Sequence, residues 1–254
     1  MLNENNHDFV ASVLVGSRNY GIHLPESDYD RHMFFLPTLA ELIAGRENQY
    51  LWHEQVDHVT HERTAKDIRK LTNGLKKPNL NSLEVLFSKE FLDLTTDNRL
   101  APLLERREQF ACSDTERLYA SLRGMMQNFK REAMLARDYK SDINEELYPN
   151  KFYKNAARHM FVSDILRRYA DSNFGSFEEA FRMDKDTLDT LIAIRQRDVQ
   201  PDIVIIETMR RLEEETAALK NFYCENRNVD HKLYVWLDDF LEQLILDNLK
   251  SPVT

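Results

Sequence analysis

Beyond Pro102 the chain almost runs out of helix breakers: as far as Pro201 its only glycines and prolines are Gly124, Pro149 and Gly175. A hundred residues so rich in helix formers and so rarely interrupted call for long helices. Periodicity places them near 103–140, 152–171, 184–197, 202–222 and 231–249. In the segment IVIIETMRRLEEETAALK, apolar Ile205, Met209, Leu212 and Ala217 recur at helical spacing with charge opposite, the pattern of an amphipathic surface helix.

The first hundred residues behave differently. Apolar VLVG (13–16), MFFLP (33–37) and the alternating QVDHVTHE (55–62) read as three strands, separated by loops rich in Asn, Pro, Ser and Asp. From Lys66, the spacing of Ile68, Leu71 and Leu75 predicts a helix that ends in the stretch Gly74–Asn81, and LNSLEVLF (80–87) is a second short helix or a strand. The expected fold is therefore α+β: a head with a mixed sheet and helices over residues 1–101, and a mostly helical domain over 102–254 packing on it.

A formal charge of −9 argues against a protein that coats DNA or adheres to anionic membranes, because its mean field repels both. The opening MLNENNHDF has no basic region leading into an apolar run, and no apolar stretch approaches the roughly 18 residues that span a bilayer, so a cytoplasmic chain without membrane contact is expected. Cys112 and Cys224 are the only cysteines and lie far apart, which fits reduced thiols.

Chemistry concentrates in VLVGSRNYGIHLPESDYDRHMFFLP, residues 13–37. An apolar strand delivers the chain to Gly16-Ser17, where a helix can begin. Glycine admits a ligand close to the backbone, free amides attract phosphate, and Ser17 adds a hydroxyl donor. After the turn Pro25-Glu26-Ser27, Asp28 and Asp30 stand two apart at the start of a strand, with Tyr29 turned to the other face. Adjacent carboxylates repel unless a cation sits between them, and hard oxygen ligands suit Mg²⁺ or Mn²⁺. A phosphate cradle next to a metal clamp describes a holder for a metal-bound nucleoside triphosphate.

GSRNYGIHLPESDYD resembles the signature of the DNA polymerase β-like nucleotidyltransferases: Gly-Ser, a spacer, then Asp-x-Asp flanked by strands. GSRxYG followed by SDYD is similar in particular to bacterial and phage predicted nucleotidyltransferases, including those found beside RNA-repair ligases. A weaker likeness continues through VDHVTHE, KDIRKL, LEVLF, KNAARHMFVSDILRR and IAIRQRDV, so it covers most of the chain. The resemblance implies that Gly16 and Ser17 bind the triphosphate and that Asp28 and Asp30 hold the metals. It also implies a third carboxylate on a later central strand, which binds metal and helps deprotonate the acceptor hydroxyl. Asp57, opening the VDHVTHE strand, matches best; Glu62 is the reserve. The chain departs from the family in RHMFFLP after SDYD and in PNLNS before LEVLF, which bears on substrate choice.

Other residues remain open between two readings. Arg18 either touches a phosphate or sits exposed at a helix start. Lys154, Arg158 and His159 share one predicted helix and either face the nucleotide or are ordinary surface and core residues. His53, His58 and His61 do not suit zinc, since residues three apart on a strand point to opposite faces. Residues 117–158 hold nine Lys or Arg against five Asp or Glu, with Arg123, Lys130 and Arg137 on one helical face. That stripe either tracks a nucleic-acid backbone, which keeps an RNA acceptor open, or is a solvated face without stacking aromatics. The expected function is Mg²⁺-dependent transfer of a nucleoside monophosphate from an NTP to a hydroxyl on RNA, protein or a small molecule. The alternative is a non-catalytic nucleotide- or partner-binding module on the same fold.

Overall fold

The computed structural model describes residues 7–138, 147–197 and 202–250. The expected α+β class holds: a five-stranded mixed sheet near the N-terminus, then a mostly helical region. The start MLNENN lies outside the described residues.

The strands are β1 (Phe9–Leu14), β2 (Tyr29–Phe35), β3 (Gln49–Val56), β4 (Val59–Asp67) and β5 (Phe91–Asp93), in the order β3-β4-β2-β1-β5. Only β2 and β4 run parallel; the other pairs are antiparallel. Between β1 and β2 lies the short helix α1 (Gly16–Tyr20), and between β2 and β3 lies α2 (Leu39–Ile43). Thr38 and Glu41 cap α2 reciprocally, which satisfies two of its orphan amides. Next come α3 (Ile68–Leu75), α4 (Leu80–Leu86), α5 (Ala101–Glu105) and α6 (Arg107–Cys112).

The expected strand over 55–62 is corrected: it is the end of one strand and the beginning of the next. Asp57 (φ +48°) and His58 (φ +66°) form a two-residue turn between β3 and β4. Positive φ at both central residues matches the twist of a tight hairpin. LNSLEVLF resolves as helix: the Asn79 side chain accepts from Ser82 N (3.1 Å) and donates to the Gly74 carbonyl (3.1 Å), so it caps α4 while tying it to α3.

The helices that follow are α7 (Thr115–Asp138), α8 (Leu147–Asp171), α9 (Phe177–Phe181), α10 (Lys185–Gln196), α11 (Asp202–Ala218), α12 (Lys220–Glu225) and α13 (His231–Lys250). Among the described residues, no helix is long and apolar enough to cross a membrane.

The chain divides into two compact units that are not two consecutive halves. The sheet unit comprises Met1–Asn19, Glu26–Asp114 and Asn228–Thr254; the helical unit comprises Tyr20–Pro25 and Thr115–Arg227. The units differ from the expected division at residue 102 in three places, one being Tyr20–Pro25, which belongs to the helical unit. α5 and α6 stay with the sheet, and α13 returns to it: Arg106 lies over the Trp236 ring (4.0 Å), Trp236 meets Phe110, and Arg99 pairs with Asp247 at 2.6 Å.

In the helical unit, α7 and α8 pack against each other. Leu118, Leu122 and Met126 on α7 are fully buried, as are Phe161, Ile165 and Tyr169 on α8. Tyr223 closes this core by donating to the Leu166 carbonyl at 2.8 Å. Tyr20 from the inserted segment stacks on Phe161 at 4.6 Å.

Candidate active site

β1 leads into Gly16, whose φ of +73° is the left-handed region open to glycine at least cost. Space imposes the same choice, because a Cβ here would stand 2.7 Å from Oδ2 of Asp30. Val15 N donates to the Asp30 carbonyl at 3.0 Å, so the turn and β2 are joined by main chain as well. The Gly-Ser turn and the second aspartate thus form one packed feature.

The Gly16 amide does not point to open space. It donates to Oε2 of Glu84 at 3.1 Å, and Glu84, on α4, is 4% exposed. Sequence reasoning missed this residue, since one carboxylate in the apolar run LEVLF reads as the wet side of an amphipathic helix. Asn19, also buried, completes the anchor: its Nδ2 donates to the Glu84 carbonyl (3.3 Å) and its Oδ1 accepts from Lys89 N (3.1 Å). Glycine here gives the turn its shape and its close approach to Asp30. Its own N–H is committed inward, contrary to the expected free amide. Ser17 follows at 3% exposure.

Arg18 clasps the loop that leads to the aspartates. Its guanidinium donates to the Ser27 carbonyl (2.8 Å) and the Asp28 carbonyl (3.2 Å) and lies over the Tyr29 ring at 5.2 Å. Asp28 sits one residue before β2 and is exposed; Asp30 is within the strand and half-buried. Tyr29 turns to the opposite face, stacks on His61 (5.0 Å) and donates to Glu90 (2.9 Å).

In the parallel pairing of β2 with β4, Asp30 stands opposite Glu62 and His32 opposite Thr64. Paired residues project to the same side, so Asp30, His32, Glu62, Thr64 and Lys66 share one face. Glu62 remains solvent-accessible and has Nδ1 of His53 at 3.8 Å. Lys66 donates to Nε2 of His32 at 2.9 Å. Burial, then the Lys66 charge, pull the His32 imidazole down to about 3, so it stays neutral and accepts this bond. Burial also lowers the Lys66 ammonium; Glu84 and Glu62 oppose the shift and Lys70 adds to it.

Asp57 is not brought to these carboxylates. It occupies the exposed hairpin tip, five residues before Glu62, about 16 Å along an extended strand. The expectation that it opens a strand beside Asp30 fails because the chain reverses at that point.

Among the described residues, no three His, Cys, Asp or Glu side chains form a cage that could hold a metal alone. Mg²⁺ binds proteins through one or two carboxylates and completes its shell with water and substrate phosphate. Asp28 and Asp30 fit such a partial shell, and the glycine at 16 leaves room beside Asp30 that any side chain would fill.

Lys154 lies on α8 in the helical unit, in a groove also lined by Lys151, Asn155 and Arg158. His159 is fully buried, with neither ring nitrogen hydrogen-bonded, and burial followed by the charges of Lys130 and Arg123 lowers it to about 4. The basic stripe on α7 is engaged with α11: Arg123 donates to the Glu213 carbonyl (3.0 Å) and to Thr216 Oγ1 (2.7 Å), and Lys130 pairs with Glu213. Arg123 and Lys130 therefore join helices.

No family model matches the chain, and no curated protein sequence does. Among solved structures, a nucleotidyltransferase-like protein from Exiguobacterium sibiricum 255-15 is similar over 87% of this chain and 73% of that one, at 11% identity and a TM-score of 0.36. A likeness this slight carries no functional weight beside the geometry of Gly16, Asp30 and Glu62.

Proposed function

We propose that the chain is a divalent-metal-dependent nucleotidyltransferase in which Asp28, Asp30 and Glu62 are the working carboxylates. The observation that carries this reading is the packing of the Asp30 carboxylate against Gly16, with Glu62 in register beside it on the parallel strand. The glycine turn, Asp30 and Glu62 are then neighbours, and Asp28 stands two residues before Asp30 in the chain.

Asp28 and Asp30 would hold Mg²⁺ or Mn²⁺, which supplies charge neutralisation on the triphosphate when bound. The turn at Gly16-Ser17 receives the phosphates with Ser17 as hydroxyl donor, while Glu84 and Asn19 keep the turn rigid from beneath. Arg18 holds the backbone of Asp28 in place. The Glu62 carboxylate accepts the proton of the attacking hydroxyl. A bond forms from that oxygen to the α-phosphorus, the α–β bridging bond breaks, and pyrophosphate leaves.

The test is incubation of the protein with Mg²⁺ and each of four α-³²P-labelled NTPs, with total RNA and with protein acceptors, followed by resolution of the labelled species. Transfer should disappear in Asp28→Asn/Asp30→Asn, fall at least about 100-fold in Glu62→Gln and persist in Asp57→Asn. Full transfer by the double variant refutes the proposal. Stabilisation by an NTP without turnover on any acceptor would favour a binding module instead.

A further inference from the structure

The two edges of the sheet are finished differently. β5 is three residues long, and shortness is one of the devices that keep an edge from pairing with another chain. β3 has eight residues and carries neither lysine nor proline, and its pairing with β4 runs from Gln49 to Val56 without a bulge. Gln49, Leu51 and the run His53 to Val56 are exposed. β3 therefore lacks the usual protections of an edge strand.

The end of the β3–β4 ladder fixes which main-chain groups point outward. Asp67 N donates to the Asn48 carbonyl at 3.2 Å, and hydrogen-bonded pairs alternate along an antiparallel ladder. The main chain of Tyr50, Trp52, Glu54 and Val56 is thus turned to β4, while the N–H and C=O groups of Gln49, Leu51, His53 and Gln55 point outward. Those outward groups have no main-chain partner among the described residues. Tyr50 and Trp52 pack against the core formed by Met33, Phe35 and Ala65, so the strand is held extended with its edge ready to pair.

We infer that β3 pairs with β3 of a second copy of this chain, antiparallel across a two-fold axis at Trp52. An axis perpendicular to the sheet keeps each face on its own side, so outward residues meet outward residues. Centred on Trp52, Gln49 meets the partner's Gln55 and Leu51 meets the partner's His53, and about eight hydrogen bonds match every outward group of both strands. Moving the axis by one residue leaves an outward residue of each strand unmatched. The same register sets Trp52 against its own copy, an aromatic cross-strand pair, and Glu54 against the partner's Tyr50, so no like charges stand opposite. A foreign peptide added to this edge would gain main-chain bonds of the same kind; the fully self-matched register favours a second copy. The two five-stranded sheets then form one, with the Glu62 backbones of both copies on one face about 16 Å apart, three strand spacings across and two residues along. The inference uses only β3 and is independent of the chemistry assigned to Glu62.

The test is sedimentation equilibrium of the full chain. Strand edges make a small interface, so between about 1 and about 200 μM the parent should pass from monomer to dimer, with a Kd on the order of micromolar. Leu51→Pro removes an outward donor and spares the ladder with β4; it should weaken dimerisation at least about tenfold. Leu51→Lys, which adds a charge of the kind that guards edges, should do the same. Leu92→Lys, at an exposed position on the other edge, should leave dimerisation unchanged. Disulfide formation in a Cys112→Ser background reads the register. A mixture of Leu51→Cys and His53→Cys chains should cross-link, whereas either variant alone should not, because like positions stand more than about 7 Å apart. A parent that stays monomeric throughout, dimers that persist in both Leu51 variants, or equal loss of dimer in Leu92→Lys overturns the inference. Cross-linking by the single variants instead of the mixture overturns it too, as does a monomer that captures an extended foreign peptide at this edge.

Discussion

Gly16 answers to two demands at once, a positive φ and a neighbour with no room for a methyl group. Gly16→Ala should therefore cost about 1–3 kcal/mol in urea denaturation and, because the Asp30 carboxylate must move aside, lower transfer activity by more than the loss of folded protein explains. An alanine variant of parental stability and activity would remove this packing from the account. The glycine and the aspartates were legible in the sequence because turn chemistry and carboxylate spacing are local. Glu84 was not, because its role is set by a bond to a residue 68 positions away. Arg18 was legible only as a cation; which carbonyls it reaches depends on the path of the loop after Pro25.

At the scale of elements, most long helices were legible from the lack of breakers, and α8, α10 and α13 lie close to where periodicity places them. The expected helix over 103–140 is instead α5, α6 and α7, although no glycine or proline stands at either break. Tertiary packing is the cause: Ser113 and Asp114 are buried where α6 ends, and Ser113 O accepts from Asp230 N as α13 approaches. The β3–β4 hairpin escaped notice because its turn is Asp-His, not the Asn-Gly that announces such turns, and alternation continues on both sides. Replacing both turn residues, Asp57→Asn with His58→Gly, should raise stability by up to about 1 kcal/mol and leave transfer unchanged, as chemical denaturation and the labelling assay would report. A loss of activity would return Asp57 to the site. β5, three residues long, is too short for any periodic signal.

At the scale of the molecule, stability should depend on pH through His159. Its lowered pKa means that the folded state binds fewer protons than the unfolded chain between about pH 6.5 and 4. Stability then rises with pH across that window, is fully present above it, and falls as acid is added. The charges of Arg123 and Lys130 oppose a proton on the ring, and Glu213 on α11 pairs with Lys130. The expected loss from this group is on the order of 3 kcal/mol, measured as the difference between parent and His159→Gln in urea titrations at pH 7 and 4.5; equal slopes would refute it. The interleaving of the two units bears on synthesis. A ribosome delivers residues 115–227 before α13, so the sheet that carries Asp30 and Glu62 must wait, without Trp236 against Phe110, until the helical unit has been translated in full. The nascent chain thus passes through a stage in which the helical unit can fold while the sheet unit still lacks its last helix.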